Sequence, residues 1–243
     1  MNDEIKNAVD SSQRAQRNYD LSKTIPEKDL ETLIHAAVNS PSKQNETHYS
    51  LYVYTDPDMI RKIYTHTKKF ILMKPDEDMS DRFGIDENGN PWQDDEYSVR
   101  NSQILANALF VYVRESGRAR GGTHIIAKEN FYSYAMVLYQ EQINYSIGIS
   151  MGELILSANL LGYKTGLCGG INNKPIQELI GTDNTVTMLV GVGYPNPNLD
   201  RRLHPEVLNG DIPERYRNGL PEERWRFPSF EKNIVVKLNG ETI

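Results

Sequence analysis

One cysteine, Cys168, is all the thiol chemistry this sequence carries. That excludes an intrachain disulfide and any cysteine-based zinc site, and it suits a reducing compartment. Basic residues are in deficit: 27 Lys and Arg stand against 33 Asp and Glu, a formal charge of -6 at pH 7. No positive field is therefore available to hold a nucleic-acid backbone or an anionic membrane surface. No apolar run approaches the length of a membrane span, and the N-terminus MNDEIKNAVD is polar and acidic where a signal peptide is basic and then apolar. No G-x-G-x-x-G follows a strand-like segment, so a Rossmann-type dinucleotide site is excluded. His35, His48, His66, His124 and His204 show no metal-ligand spacing, and no metal is expected. The expectation is a cytoplasmic protein with a small-molecule partner. Its 243 residues are enough for one substantial core, and nothing reads as an interdomain linker, so 1–243 is taken as a single domain.

What is present falls into a recognisable order of elements. Thr24-Ile25-Pro26-Glu27 has the spacing of a capping box, and Leu30, Leu33, Ile34, Ala37 and Val38 then form an apolar helical stripe that should stop at Asn39-Ser40-Pro41. Tyr49, Leu51 and Val53 alternate with Ser50, Tyr52 and Tyr54 as in a half-buried strand ending at Asp56-Pro57. Ala108 to Val113 is apolar almost without interruption, which indicates a central strand with helices on either side. Between these strands, residues 74–100 read as an acidic surface insert. Asp86, Asn88, Asn90 and Asp94 mimic a calcium loop, but Pro91 stands where glycine is needed and Tyr97 where the bidentate Glu belongs.

A long helix is expected from about Lys128 to Leu161, with Ile147, Met151, Leu154, Ile155, Ala158 and Leu161 on one face. Its small residues, including Gly148, Ser150 and Gly152, would let another backbone approach in a helix or subunit contact. Gly162 ends it, and Lys164 to Gly170 reads as a glycine-rich connection. A further strand, Val186 to Val192, ends at Gly193-Tyr194-Pro195. Residues 205–243 form a C-terminal extension arm, in which Ile234 to Leu238 alternates without a hairpin partner of its own and so should pair elsewhere.

Four separate segments offer groups suited to an anionic, planar ligand. Arg14 and Arg17, with Ala15 between them, precede the first helical stripe, and guanidinium groups grip phosphate bidentately. Ser40-Pro41-Ser42-Lys43-Gln44-Asn45 is a turn of short hydrogen-bonding side chains. Cys168-Gly169-Gly170 leaves backbone N–H groups free to approach a flat ligand, with Cys168 itself a small hydrophobe rather than a nucleophile. Gly193-Tyr194-Pro195 is followed by the paired cations Arg201 and Arg202. Each signal is weak alone, and any one of them could be an ordinary loop.

Taken in order, these segments resemble the nitroreductase family of flavoproteins: R-x-x-R-x-(F/Y) at Arg14 to Tyr19, S-P-S-x-x-N at Ser40 to Asn45, a small-residue helix and Gly turn at Ile147 to Gly170, and G-Y-P with basic residues at Gly193 to Arg202. The resemblance implies an α+β fold, a three-layer sandwich in which a mixed, mainly antiparallel sheet is flanked by helices. It also implies a homodimer with an exchanged C-terminal strand and FMN held noncovalently at the interface. Arg14, Ala15 and Arg17 would contact the phosphate and ribityl chain, joined by Arg201 or Arg202. Pro41, Ser42 and Asn45 would reach the flavin from the other subunit. Arg100 or Gln103 would face the pyrimidine edge, and the N–H groups of Gly169 and Gly170 would lie near flavin N5. Phe131, Tyr132 and Tyr134 are candidates for covering the substrate.

The implied reaction is a ping-pong transfer of two electrons from NADH or NADPH to a small organic acceptor such as a nitroaromatic or quinone, with no catalytic side chain required. Two rival readings are a flavin-handling module with incidental turnover and an enzyme of a dehalogenating or flavin-fragmenting branch.

Overall fold

The computed structural model describes residues 3–42, 45, 48–68, 70–71, 98–115, 134–203, 237–238 and 241–242. Four strands form its main sheet: β1 (Tyr49–Tyr54), β4 (Ala108–Arg114), β5 (Lys164–Cys168) and β6 (Val186–Gly193), in the order β1-β4-β6-β5. Every pairing among the described residues is antiparallel.

The sheet is the middle of three layers, and β4 explains why. Its residues from Ala108 to Val113 are all buried. Because successive strand residues point to opposite faces, Ala108, Phe110 and Tyr112 enter one core and Leu109, Val111 and Val113 enter another. The first core is closed by α2 (Glu27–Val38) and α4 (Tyr134–Leu160). The second is closed by α3 (Pro57–Thr65), α5 (Asn173–Ile180) and a 3-10 turn, Ser102–Ile104. The central strand and the α+β sandwich are thus as the sequence implies.

Several local expectations are corrected. The helix after Thr24 begins at Glu27, with Pro26 at the N-cap and no side-chain cap bond. Thr24 lies outside it because Ile25 is drawn into the first core, where Leu30 also packs, so an apolar staple sets the helix entry instead of a capping box. Asp56-Pro57, read as a strand terminator, also starts α3: the Asp56 carboxylate accepts the Asp58 N–H at 3.0 Å, and Pro57 occupies the first turn. The connection Lys164 to Gly170 is in its first five residues the edge strand β5. The acidic insert closes on a short ladder, with β3 (Ser98–Val99) antiparallel to β2 (Phe70–Ile71); residues 74–97 lie outside the described residues. At the far end, β7 (Lys237–Leu238) does have a hairpin partner, β8 (Glu241–Thr242).

The N-terminal helix α1 (Asp3–Ser12) carries little apolar signal because only Ala8 is buried; it rests on α4. Along α4 the small residues divide. Ser150 and Ala158 are buried in the core, whereas Gly148 and Gly152 are exposed and have no atom within 4 Å of where a Cβ would sit. Of the expected apolar stripe, Ile147, Leu154 and Ala158 are buried, Met151 and Ile155 are partly so, and Leu161 is exposed beyond the helix end.

Candidate functional site

The β5–β6 edge of the sheet is bare on one face. Gly166 and Gly191 are direct register partners, and Gly193 lies two residues on in the same strand. Onto this patch packs the backbone of residues 102–107. A methyl group on Gly166 would lie 2.5 Å from Gln103 Cβ and 2.7 Å from the carbonyl oxygens of Gln103 and Gln16. Glycine is needed here for close approach, since neither residue has a positive φ.

Residues 15–20 form a strap across this region, tied along both margins. The Gln16 N–H donates to Thr165 O (2.8 Å), the Arg17 N–H to Arg201 O (2.9 Å) and the Asp20 N–H to Tyr194 O (2.9 Å). Asn18 Nδ2 donates to the carbonyls of Asp200 (2.7 Å) and Leu203 (2.9 Å). On the other margin, Ser102 Oγ donates to Arg17 O (2.8 Å), and the Tyr19 hydroxyl reaches Gln103 O (3.1 Å) and Gln16 O (3.3 Å). Gln16, Asn18 and Tyr19 are buried, and each is satisfied by backbone carbonyls. Burial pushes the Tyr19 phenol far up, so it stays a donor. Asn107 anchors the strap's exit, donating to Asp20 O (3.0 Å) and Lys23 O (2.7 Å) while accepting the Tyr194 N–H (2.9 Å).

The strap and the Asp200–Leu203 turn bring the expected cations into one neighbourhood. Arg17 Nη1 donates to Gln103 Oε1. Burial and then the nearby charge of Arg201 lower the Arg17 guanidinium to about 10. Arg201 donates to Ala15 O (3.3 Å) and is itself held below its ordinary value by burial, then by Arg14 and Arg202. Arg202 differs: its fork is engaged by Asp200, Nε to Oδ1 at 3.1 Å and Nη2 to Oδ2 at 3.2 Å, and this bond raises it. Arg201 is thus repelled by Arg17, Arg14 and Arg202, and a multiply charged anion beside it would relieve that repulsion.

The Gly169-Gly170 turn follows the end of β5. Its carbonyls are occupied, Gly170 O by the Lys68 N–H (2.8 Å) and Gly169 O by the Ile171 N–H (3.1 Å). Arg100 donates to Thr67 O, in the segment that bridges to Ile171. A methyl on Gly169 would meet nothing nearer than Met188 Cε at 3.4 Å, so the described chain does not itself require glycine there. Cys168 is buried, donates to Gly170 O at 3.5 Å and has its thiol pushed up by burial, which fits a packed hydrophobe and not a nucleophile.

The turn bearing Pro41, Ser42 and Asn45 is anchored on the opposite face of the sheet. Tyr49 OH (2.5 Å) and Ser150 Oγ (2.6 Å) both donate to Ala37 O, the Tyr49 hydroxyl contacts Ser40 Oγ at 3.2 Å, and Tyr112 OH lies 3.0 Å from Ser150 Oγ. Asn45 takes a left-handed conformation, φ 58°, and its N–H donates to Ser42 O at 3.1 Å. One chain therefore gathers Arg14, Ala15, Arg17, Gln103, Arg201 and Arg202, but hangs Pro41, Ser42 and Asn45 from the other core. Phe131 and Tyr132 lie outside the described residues, and Tyr134 is the first residue of α4.

Sequence reasoning named Tyr19 only as the end of the R-x-x-R-x-(F/Y) segment and missed Gln16, Asn18, Ser102 and the glycine pair. The signal of that pair exists only after register is known, because Gly166 and Gly191 are 25 residues apart (191 − 166) and adjacent only through the β5–β6 pairing.

Comparison with known proteins gives the following. The model of the nitroreductase family matches residues 11–194. No curated protein matches the sequence. Among solved structures, a nitroreductase family protein from Clostridium novyi NT is similar, with 17% identity, 82% of this chain and 89% of that chain covered, and a TM-score of 0.52. Nitroreductase A from Vibrio parahaemolyticus has 17% identity, coverages of 82% and 71%, and a TM-score of 0.53. The NADPH:FMN oxidoreductase from Vibrio harveyi, complexed with NAD+, has 15% identity, coverages of 84% and 75%, and a TM-score of 0.50. At these identities the likeness is one of fold.

Proposed function

The chain belongs to the nitroreductase family, and from that premise we propose that it is an FMN-dependent oxidoreductase passing two electrons from NADH or NADPH to a small organic acceptor, such as a nitroaromatic or a quinone, in a ping-pong cycle. The observation that carries this reading is the convergence of the Arg14–Arg17 segment with Arg201 and Arg202, bonded through Arg17 N–H to Arg201 O and Arg201 to Ala15 O. Bound FMN would supply the hydride chemistry of both half-reactions. The residues present fit it: the mutual repulsion of the arginines is relieved by a terminal phosphate dianion, and Gly169 leaves room that packing within the described chain does not use.

The chain's own groups bind and orient. Arg201, with Arg14 beside it, holds the phosphate. Arg17, which the resemblance places at the phosphate and ribityl chain, is tied to Gln103, the residue expected at the pyrimidine edge, and is therefore assigned to the ring end instead. With Gln103 Oε1 engaged by Arg17, its Nε2 remains the donor for a ring carbonyl. Because both carbonyls of the Gly169-Gly170 turn are bound inward, the turn offers donors and not acceptors to its ligand, a polarity that favours negative charge. No side-chain acid or base is required.

The active unit is a homodimer. The outer face of α4 leaves Tyr145 61%, Ile149 43% and Leu160 41% exposed, with Gly148 and Gly152 open between them. An apolar, flat-sided helix face of this kind is covered by a second copy of itself. Pro41, Ser42 and Asn45, held away from their own chain's arginines, then serve the partner's site.

Heat-released cofactor from the purified protein is expected to co-elute with FMN, and the FMN-loaded protein to bleach on adding NADH or NADPH. FAD, or no flavin after reconstitution with excess FMN, would overturn this reading.

A further inference from the structure

Glycine inside a strand weakens a sheet, so two of them face to face require a packing reason. For Gly166 and Gly191 that reason converges on one residue. A methyl on Gly166 would strike Gln103 Cβ and the carbonyl oxygens of Gln103 and Gln16. One on Gly191 would lie 3.1 Å from both Ala106 Cβ and Ile104 Cα and run into Gln103 O. From above, Tyr19 OH pins the same Gln103 carbonyl at 3.1 Å, and Ser102 Oγ joins the strap at Arg17 O at 2.8 Å. Gln103 is thus held between a bare floor and a hydroxyl ceiling, and its side-chain oxygen is what Arg17 donates to.

We propose that Gly166 and Gly191, with Tyr19 above them, are positioning residues for the ring end of the flavin site: they fix the height of Gln103 over the sheet, and Gln103 in turn aims the Arg17 guanidinium. The claim rests on the flavin reading for its purpose, but not for its geometry. A side chain at Gly191 lifts Gln103, breaks its bond with Arg17 and leaves the phosphate arginine Arg201, which hangs from Ala15 O, in place, whereas one at Gly166 also presses on Gln16 O in the strap.

The test compares Gly191→Ala, Gln103→Ala, the double variant and Tyr19→Phe in the full chain by two readouts. In apoprotein, the guanidinium N–H resonances of Arg17, assigned through Arg17→Lys, report the Arg17–Gln103 bond with no flavin present. Titration with riboflavin, which lacks the phosphate, reports the ring end. Gly191→Ala is expected to move the Arg17 resonances toward their Gln103→Ala positions and to weaken riboflavin about tenfold, the effect of losing one hydrogen bond to a charged group. The ratio of FMN to riboflavin affinity stays constant, and in the Gln103→Ala background Gly191→Ala changes neither readout further. Unmoved Arg17 resonances, or an equal loss of riboflavin in both backgrounds, overturn the proposal. Should the alanine variants fail to fold, Tyr19→Phe adds no volume and must shift the same resonances the same way; if it does not, the proposal falls. A parent that binds neither FMN nor riboflavin defeats the flavin reading, while the Arg17 resonances still decide the positioning.

Discussion

β4 and the strap of residues 15–20 are both withdrawn from water, by opposite means. Every side chain of β4 from Ala108 to Val113 is apolar or aromatic and is buried against one of two cores. In the strap, Gln16, Asn18 and Tyr19 are 3%, 3% and 6% exposed, and each is held by bonds to backbone carbonyls, Gln16 to that of Asn18 within the strap, Asn18 and Tyr19 to those of other segments. A strand of the first kind accepts any apolar residue of suitable volume. A strap of the second kind accepts few substitutions, because a buried carbonyl deprived of its donor incurs its full desolvation penalty. The strap carries Arg17 and is bonded to Arg201, so the placing of these charges depends on the more exacting of the two regions.

Five substitutions test that contrast. Phe110→Ala removes a fully buried ring from the first core and should lower stability by about 3 to 5 kcal/mol in thermal or denaturant unfolding. Flavin affinity of the folded fraction should be unchanged; a parallel loss would mean that core and strap are not separable. Ile149→Glu places a charge on the exposed face of α4 and should weaken dimerisation roughly a hundredfold, about 3 kcal/mol, as read by sedimentation. Unchanged association would remove α4 from the interface.

Arg201→Ala should lose about 1.5 to 3 kcal/mol of FMN affinity, while apoprotein melting stays level or rises slightly as the repulsion on Arg17 is relieved. Arg202→Ala should lose less, because Asp200 already engages its fork; the reverse ranking would exchange their roles. Asn18→Ala, which strands the carbonyl of Leu203 and leaves that of Asp200 with the Leu203 N–H alone, should lower apoprotein stability by about 1 to 2 kcal/mol. A neutral result there would show that water replaces Asn18 and that the strap is less exacting than its burial implies.

What was legible in the sequence follows the same division. The unbroken run of β4 announces burial on both faces without reference to any other segment, and the central strand and layered α+β fold follow from it. The arginine pairs were legible through the ordered resemblance, and the structure brings Arg14, Arg17, Arg201 and Arg202 together. β5 was read as a connection because Gly166, Gly169 and Gly170 look alike in sequence. Only register separates Gly166, which faces Gly191 inside a ladder, from its neighbours beyond the strand end. Thr24 suggested a cap because the spacing is local, whereas the helix start is set by Ile25 packing in a core assembled from distant segments. α1 gave little signal because its apolar Ile5 and Val9 point away from the core.

The paired hydroxyls at the end of α2 have a consequence for exchange kinetics. Helix ends normally fray, since their last carbonyls have no intrahelical donor. In α2 the Ala37 carbonyl receives hydroxyls from β1 and from α4, two elements far apart in sequence. Opening the last helical turn therefore means detaching it from both at once, so its amide protons should exchange with solvent only in the slow, global unfolding class. The loop that follows then pivots from a fixed point at Ser40 and does not lengthen by unwinding the helix behind it, so its reach is limited to that of its own residues.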